Sequence, residues 1–202
     1  YLTCEFALAR RGRLVPGETV LVHGAAGGVG TAAVQLAKAM GARVIAVVSS
    51  EEKARVAREA GADDAVMVDG FRDAVKGLTG GKGVDVIVDP VGGDRFTDSL
   101  RCLAPEGRML VVGFTGREIP TVKVNRLLLT NTDVVGVGWG AFALRAPGFL
   151  REQWDRLVPH VESGAITPPL GESFSLAQAA DALVSLDERR ATGKVVLTMN
   201  PR

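Results

Sequence analysis

Short apolar runs alternate with amphipathic stretches along most of the chain. The runs are "TVLVH" (19–23), "RVIAVV" (43–48), "AVMV" (65–68), "VDVIV" (84–88) and "RMLVV" (108–112). Helical periodicity occupies the intervals near 28–40, 51–60, 71–78 and 94–102. The runs lack polar alternation, which predicts strands buried on both faces, as in a parallel sheet covered by helices. Strand–helix alternation with short loops predicts right-handed crossovers and a Rossmann-type, doubly wound α/β sheet. Punctuation agrees: Ser49 and Glu52 have the spacing of a capping box, and Gly41 and Gly61 stand where helices should stop. A sixth strand, "DVVGVGW" at 133–139, follows the Leu-rich helical turn "VNRLLLTN".

After that strand the texture changes. "LRAPGF" reads as a loop, 149–163 as a helix, "AITPPLGESF" as a Pro-rich connector, 175–188 as a helix and "GKVVLTM" as a last strand. The end of this stretch breaks the alternation and is expected outside the main sheet. The expected division is 1–164 as one α/β domain and 165–202 as a separate C-terminal segment. The chain opens on Tyr1, already inside the helix-like "YLTCEFALARRG", and reads as a piece of a longer polypeptide.

Composition narrows the function classes. With 47% apolar and 5% aromatic residues, the core must be built from Val, Ala, Leu and Ile. Lys plus Arg is 24 against 23 for Asp plus Glu, which offers no electrostatic case for nucleic acid or a membrane surface. No apolar stretch reaches the roughly 20 residues of a membrane span, and no signal segment is visible. Cys4 and Cys102 fit no metal spacing and no disulfide framework, so they read as reduced thiols of a cytoplasmic protein. His23 is expected in a core or loop role and His160 at the surface; no metal site is expected.

The chemistry concentrates in "VLVHGAAGGVG" (20–30), where a buried strand meets a helix through small residues. Gly24, Gly27 and Gly30 form GxxGxxG, with Gly28 extra. Such a turn lets phosphates approach the main chain at a helix N-terminus that offers free amides and partial positive charge. A tight turn holding nothing would use the same glycines, but the position at the first strand of a βαβ series favours a dinucleotide. No GK[ST] exists, which removes a P-loop, and the only tyrosine is Tyr1, which removes a Tyr–Lys short-chain dehydrogenase site. The second strand ends "AVVSS", placing Ser49 and Ser50 where an NAD site carries a carboxylate, with Lys53 one turn later. Hydroxyls and an ammonium suit a 2′-phosphate, so NADPH is expected over NADH. The competing reading of Lys53, as a surface helix lysine, carries less weight. Asp89 is expected to order its own turn.

The stretch "LVPGETVLVHGAAGGVGTAAVQLAKAMGARVIAVVSSEEK", with "GVDVIVDPVGG", "LAPEGRMLVVGFTG" and "ATGKVVL", resembles the zinc-independent quinone oxidoreductase branch of the medium-chain dehydrogenase/reductase superfamily. The resemblance covers essentially the whole chain. It implies a Rossmann cofactor domain plus a tail that returns to a GroES-like catalytic domain, which this sequence does not contain. It implies pyrophosphate contacts around Ala26, Gly27, Gly28, Val29 and Gly30, and 2′-phosphate contacts from Ser49, Ser50 and Lys53. Val91 and Gly92 would pass the nicotinamide ribose, and Val112, Gly113 and Phe114 would lie by the carboxamide. Val68 stands where many relatives place a tyrosine. The strand 133–139 would pair with its twin across a homodimer axis, unless Trp139 has an ordinary core role.

Three readings follow. The first is the NADPH-binding domain of a reductase of quinones or α,β-unsaturated carbonyls, with a small-molecule substrate. The second is the cofactor domain of an enoyl-thioester reductase. The third is a non-catalytic NADPH-binding structural or regulatory module. No general acid is expected in this chain, and the catalytic residues are unknown.

Overall fold

The structure is a computed structural model, and it describes residues 1–188 and 190–199. The final residues of the expected 165–202 segment, with residue 189, lie outside the described residues. Six parallel strands form the main sheet: β1 Thr19–His23, β2 Arg43–Val48, β3 Asp64–Met67, β4 Val84–Asp89, β5 Leu103–Val111 and β6 Asp133–Gly136. Their spatial order is β3-β2-β1-β4-β5-β6. This is the doubly wound Rossmann order, with a topological switch point between β1 and β4.

Nine α-helices are described: α1 Leu2–Glu5, α2 Gly28–Ala39, α3 Glu51–Glu59, α4 Phe71–Leu78, α5 Phe96–Leu100, α6 Asn125–Thr130, α7 Trp139–Ala143, α8 Phe149–Glu162 and α9 Ala179–Asp187. A π-helical segment, Phe6–Arg11, continues α1. Gly41 and Gly61 adopt positive φ just past α2 and α3, as the sequence predicts.

Strand periodicity divides the core in two. Val20, Val22, Val44, Ala46, Val86, Val88 and Leu110 face one layer, packed with Phe6, Leu8, Leu36, Phe149 and Leu157. Leu21, Ile45, Val47, Ile87 and Met109 face the other, packed with Phe71, Val75, Phe96 and Leu100. Successive residues of a strand point to opposite faces, so an unbroken apolar run serves two helical layers at once.

One buried polar network anchors the N-terminal helix to the C-terminal half. Gln153 is fully buried; its Oε1 accepts from Trp139 Nε1 at 2.8 Å, and its Nε2 donates to the Leu2 carbonyl and to Glu5. Arg156 closes the other side of Glu5 at 2.7 Å. Every polar atom of the amide is paired, which is what makes its burial tolerable.

The structure corrects four local expectations. The helix cap is Ser50, whose Oγ accepts from Lys53 N at 3.3 Å, and not Ser49 one residue earlier. The sixth strand ends at Gly136; Gly138 precedes α7, and Trp139 begins that helix because its indole is drawn to Gln153. The fifth strand begins at Leu103, since Ala104–Gly107 forms an irregularity across which pairing with β4 resumes at Arg108. Half of the expected connector is a strand, β7 Leu170–Ser175, and it pairs in parallel with β8 Lys194–Thr198 around α9. As expected, this pair forms a sheet of its own.

Candidate functional site

The site lies where Rossmann sheets bind ligands, outside the carboxyl ends of the strands at the switch point. A cleft of about 380 Å³ opens there. Its floor is the glycine turn Gly24–Gly28. Ser49, Lys53, Val68, Val91, Arg95 and Thr115 line the rest of it.

The turn is built by close approach. A Cβ on Gly30 would collide with the Gly24 carbonyl oxygen and stand 2.6 Å from Ala25 Cα, so α2 packs directly on the turn that precedes it. Gly27 is the residue before α2, and no side chain caps that helix. The first intrahelical bond of the run is Thr31 N to Gly27 O at 2.8 Å. Helix geometry therefore leaves the amides of Gly28, Val29 and Gly30 without an intrahelical acceptor, and the helix dipole adds positive potential at the same point. Behind the turn, the Cys4 thiol donates to Val29 O at 3.3 Å. Burial pushes that thiol up to about 11, which keeps it protonated.

At the β2 end, Lys53 Nζ donates to Ser49 Oγ at 3.3 Å. A hydroxyl and an ammonium thus face one point, with no carboxylate among the residues lining this cleft. At the β4 end, Asp89 Oδ1 accepts from Val91 N and Gly92 N, both at 2.9 Å. Asp89 orders its own turn, the role expected from sequence. Burial raises its carboxyl above the usual range, against the amides of Gly92 and Val91 and the charge of Arg95. The loop after β5 is fastened to this turn: Val112 N donates to Asp89 O, Thr115 N to Pro90 O, and Gly116 N to Val91 O. Gly92 has no room for a Cβ, which would stand 2.8 Å from the Phe114 ring.

His23 is fully buried at the end of β1. Ser99 Oγ donates its proton to Arg95 O at 2.9 Å, so it accepts from His23 Nε2–H at 2.7 Å. Burial first, then the charge of Arg95, depresses the imidazole to about 3. The ring is a neutral core group and meets Phe71 edge-on. Among the described residues, His23 Nδ1, Asp89 Oδ2 and Arg95 Nε are the buried side-chain atoms left without a hydrogen-bond partner.

Of the residues singled out from sequence, Ala26, Gly27, Gly28, Ser49, Lys53 and Val91 share the cleft. Val29 and Gly30 lie in the first turn of α2 beside it, and Ser50 caps α3. Gly92, Val112, Gly113 and Phe114 lie next to the cleft without lining it. Sequence reasoning assigned no role to Arg95 or Lys194, and placed Thr115 only within the loop 113–116 at the margin of a substrate pocket. The tail folds back onto the turn: Gly193 N donates to Ala26 O at 3.2 Å, and Lys194 Nζ sits 2.7 Å from where a Cβ on Gly28 would project. The signal for Lys194 was its place in "ATGKVVL", but nothing local says that this strand returns to residue 28.

Among the described residues, no group of three or more His, Cys, Asp or Glu is arranged to hold a metal, and no helix is long and apolar enough to cross a membrane.

Comparison with known proteins adds the following. The family model described as zinc-binding dehydrogenase matches residues 28–163. The chain is 40% identical over 202 residues to the quinone oxidoreductase-like protein 2 of Bos taurus, covering 98% of this chain and 58% of the relative. It therefore spans a little over half the length of that relative. A probable oxidoreductase of Mycobacterium abscessus superposes with a TM-score of 0.87 at 45% identity, over 98% of this chain and 59% of the other. The Escherichia coli quinone oxidoreductase complexed with NADPH superposes with a TM-score of 0.88 at 31% identity, over 97% of this chain and 61% of the other.

Proposed function

Since the chain belongs to the zinc-binding dehydrogenase family of the medium-chain dehydrogenase/reductase superfamily, we propose that it is the NADPH-binding part of a reductase acting on quinones or α,β-unsaturated carbonyls. The observation that carries this reading is the cleft itself: free helix amides at the glycine turn, with Ser49 and Lys53 lining the same cleft.

The residues present fit the cofactor. The amides of Gly28, Val29 and Gly30 would hold the diphosphate, with the ε-amine of Lys194 as counter-charge beside them. Ser49 and Lys53 would hold the 2′-phosphate, and the absence of a carboxylate at that point removes the repulsion such a group would meet. Val91 and the segment Val112–Phe114 would pass the nicotinamide end. When bound, NADPH supplies the hydride; this chain's part is to orient the ring and keep water from it. His23 is locked neutral in the core, and the Cys4 thiol stays protonated behind the turn. Neither is a proton donor to substrate, so proton delivery and most of the substrate pocket belong to the rest of a longer, zinc-independent protein.

The segment 165–202 is proposed as the part that docks a catalytic domain. Its exposed Leu170, Leu176, Leu183 and Met199 support that role. The edge position of β6 supports a homodimer through the 133–139 region.

Calorimetric titration of the chain with NADPH and NADH tests the cofactor reading. NADPH binding with at least a tenfold preference over NADH is expected. A preference for NADH, or no binding of either, overturns it.

A further inference from the structure

We propose that Arg95 is a further specificity-determining residue of this cleft, supplying the guanidinium that grips the 2′-phosphate of NADPH together with Ser49 and Lys53. This rests on the NADPH reading above and deepens it. Three observations bear on it.

Arg95 lines the cleft together with Ser49, Lys53 and Val68, and it shares a second hollow with Val68, whose amide donates to Val48 O beside Ser49. Val68 is apolar and offers the phosphate nothing, so the polar contacts there must come from elsewhere. Arg95 is the cationic residue lining the cleft besides Lys53.

Second, the guanidinium is only loosely held. Its Nε is buried and without a hydrogen-bond partner. Its ion-pair partner is Asp94, at 3.6 Å, and the Asp94 side chain is 88% exposed. The neighbouring arginines differ. Arg72 is engaged by Asp73 at 3.0 Å and by Asp98 at 3.4 Å, and Arg101 donates to Asp98 at 2.7 Å. A planar group with five donors, held only by a 3.6 Å ion pair to an exposed carboxylate and lining a ligand cleft, is matched to a phosphate that accepts a forked pair.

Third, the surroundings hold the group in place without consuming it. Arg95 begins the turn into α5, where its own carbonyl accepts from Ser99, and the fully buried Asp89 and His23 lie within its electrostatic reach. Arg95 also lines that second hollow of about 280 Å³, where Asp69, Asp73, Asp94 and Asp98 stand with Arg72. Four carboxylates against two arginines leave that hollow net acidic, which disfavours an anion there. The phosphate is left with the cleft that Ser49 and Lys53 line.

The test is calorimetric titration of the whole chain and its R95Q and R95K variants with NADPH and NADH, alongside thermal melts without nucleotide. The loss of a charge-assisted contact predicts that R95Q weakens NADPH by about tenfold to a hundredfold. NADH should change by less than about twofold, and R95K should recover part of the loss. Should R95Q fail to fold, R95K carries the test, with a severalfold loss for NADPH and none for NADH. Equal losses for both nucleotides, or no loss for either, overturn the role of Arg95 while leaving wild-type NADPH preference intact. A wild-type chain that binds NADH as well as NADPH overturns the cofactor reading itself, and this inference with it.

Discussion

The ε-amine of Lys194, on the last described strand, sits 2.7 Å from the point where a Cβ on Gly28 would project. The tail thereby places a cation against the unpaired amides that open α2. Diphosphate is common to both nicotinamide dinucleotides, so Lys194→Met should weaken NADPH and NADH alike, by about tenfold. Gly28→Ala should act in the same direction but less, because a new methyl meets only the movable end of that lysine. Calorimetry on both variants with both nucleotides checks this.

Lys53 should behave differently. Its partner in the cleft is Ser49, at the end expected to receive the phosphate that NADH lacks. Lys53→Ala should cost about tenfold in NADPH affinity and spare NADH. A parallel loss for both nucleotides would place Lys53 outside the phosphate pocket.

Gly30 tests the packing of the turn instead of its charge. A Cβ there meets backbone, the Gly24 carbonyl and Ala25 Cα, which cannot step aside as a lysine tip can. Gly30→Ala should therefore destabilise the fold by about 3 kcal/mol, as overpacking against fixed atoms does. Denaturant melts without nucleotide would show the loss directly.

Beneath the sheet, Arg108 forks onto Glu18 at 2.6 and 2.9 Å, while its remaining donors reach the carbonyls of Gly12 and Arg13. The pair is largely buried, at 10% and 18% side-chain exposure. Glu18→Ala leaves the guanidinium short of its partner and should cost about 2 kcal/mol. The bond from Arg108 holds the Glu18 carboxyl below its usual 4.5. Because the folded value is depressed, the pair's contribution is full above the unfolded value and fades as pH falls through the folded one. Wild type should lose this contribution between pH 5 and more acid conditions, and the Ala variant should show a shallower decline there.

His23 gives a second pH signature. Its imidazole falls from 6.5 to about 3 through burial. The unfolded chain takes up a proton near 6.5 that the folded chain refuses, so the stability tied to neutral His23 is full above that value and drains away toward pH 3. In a proton-detected titration from pH 8 to 5, the His23 resonances should stay fixed. Their movement would mean that the β1 end is more open than it is here.

Much of this was readable in one dimension. Unbroken Val- and Ile-rich runs of strand length require two covering layers, and the order β3-β2-β1-β4-β5-β6 satisfies them. The glycines at 24, 27 and 30 mark the turn at which the cleft opens. The cap shift from Ser49 to Ser50 is local, but two other departures involve pairing that the local pattern does not carry. Trp139 left the predicted strand for Gln153. The segment Leu170–Ser175 carries little strand signal and became a strand through pairing with Lys194–Thr198.

Local periodicity and the steric demands of glycine turns act between neighbours in the chain, so the residue order alone sufficed for the sheet, its helices and the glycine-turn end of the cleft. Arg95 and Lys194 are another matter. Arg95 lines the cleft by the turn after β4, and Lys194 comes beside Gly28 by the return of the tail across some 160 residues. Which cations meet at a phosphate is a question of distances in space, and spacing along a chain carries no such distances.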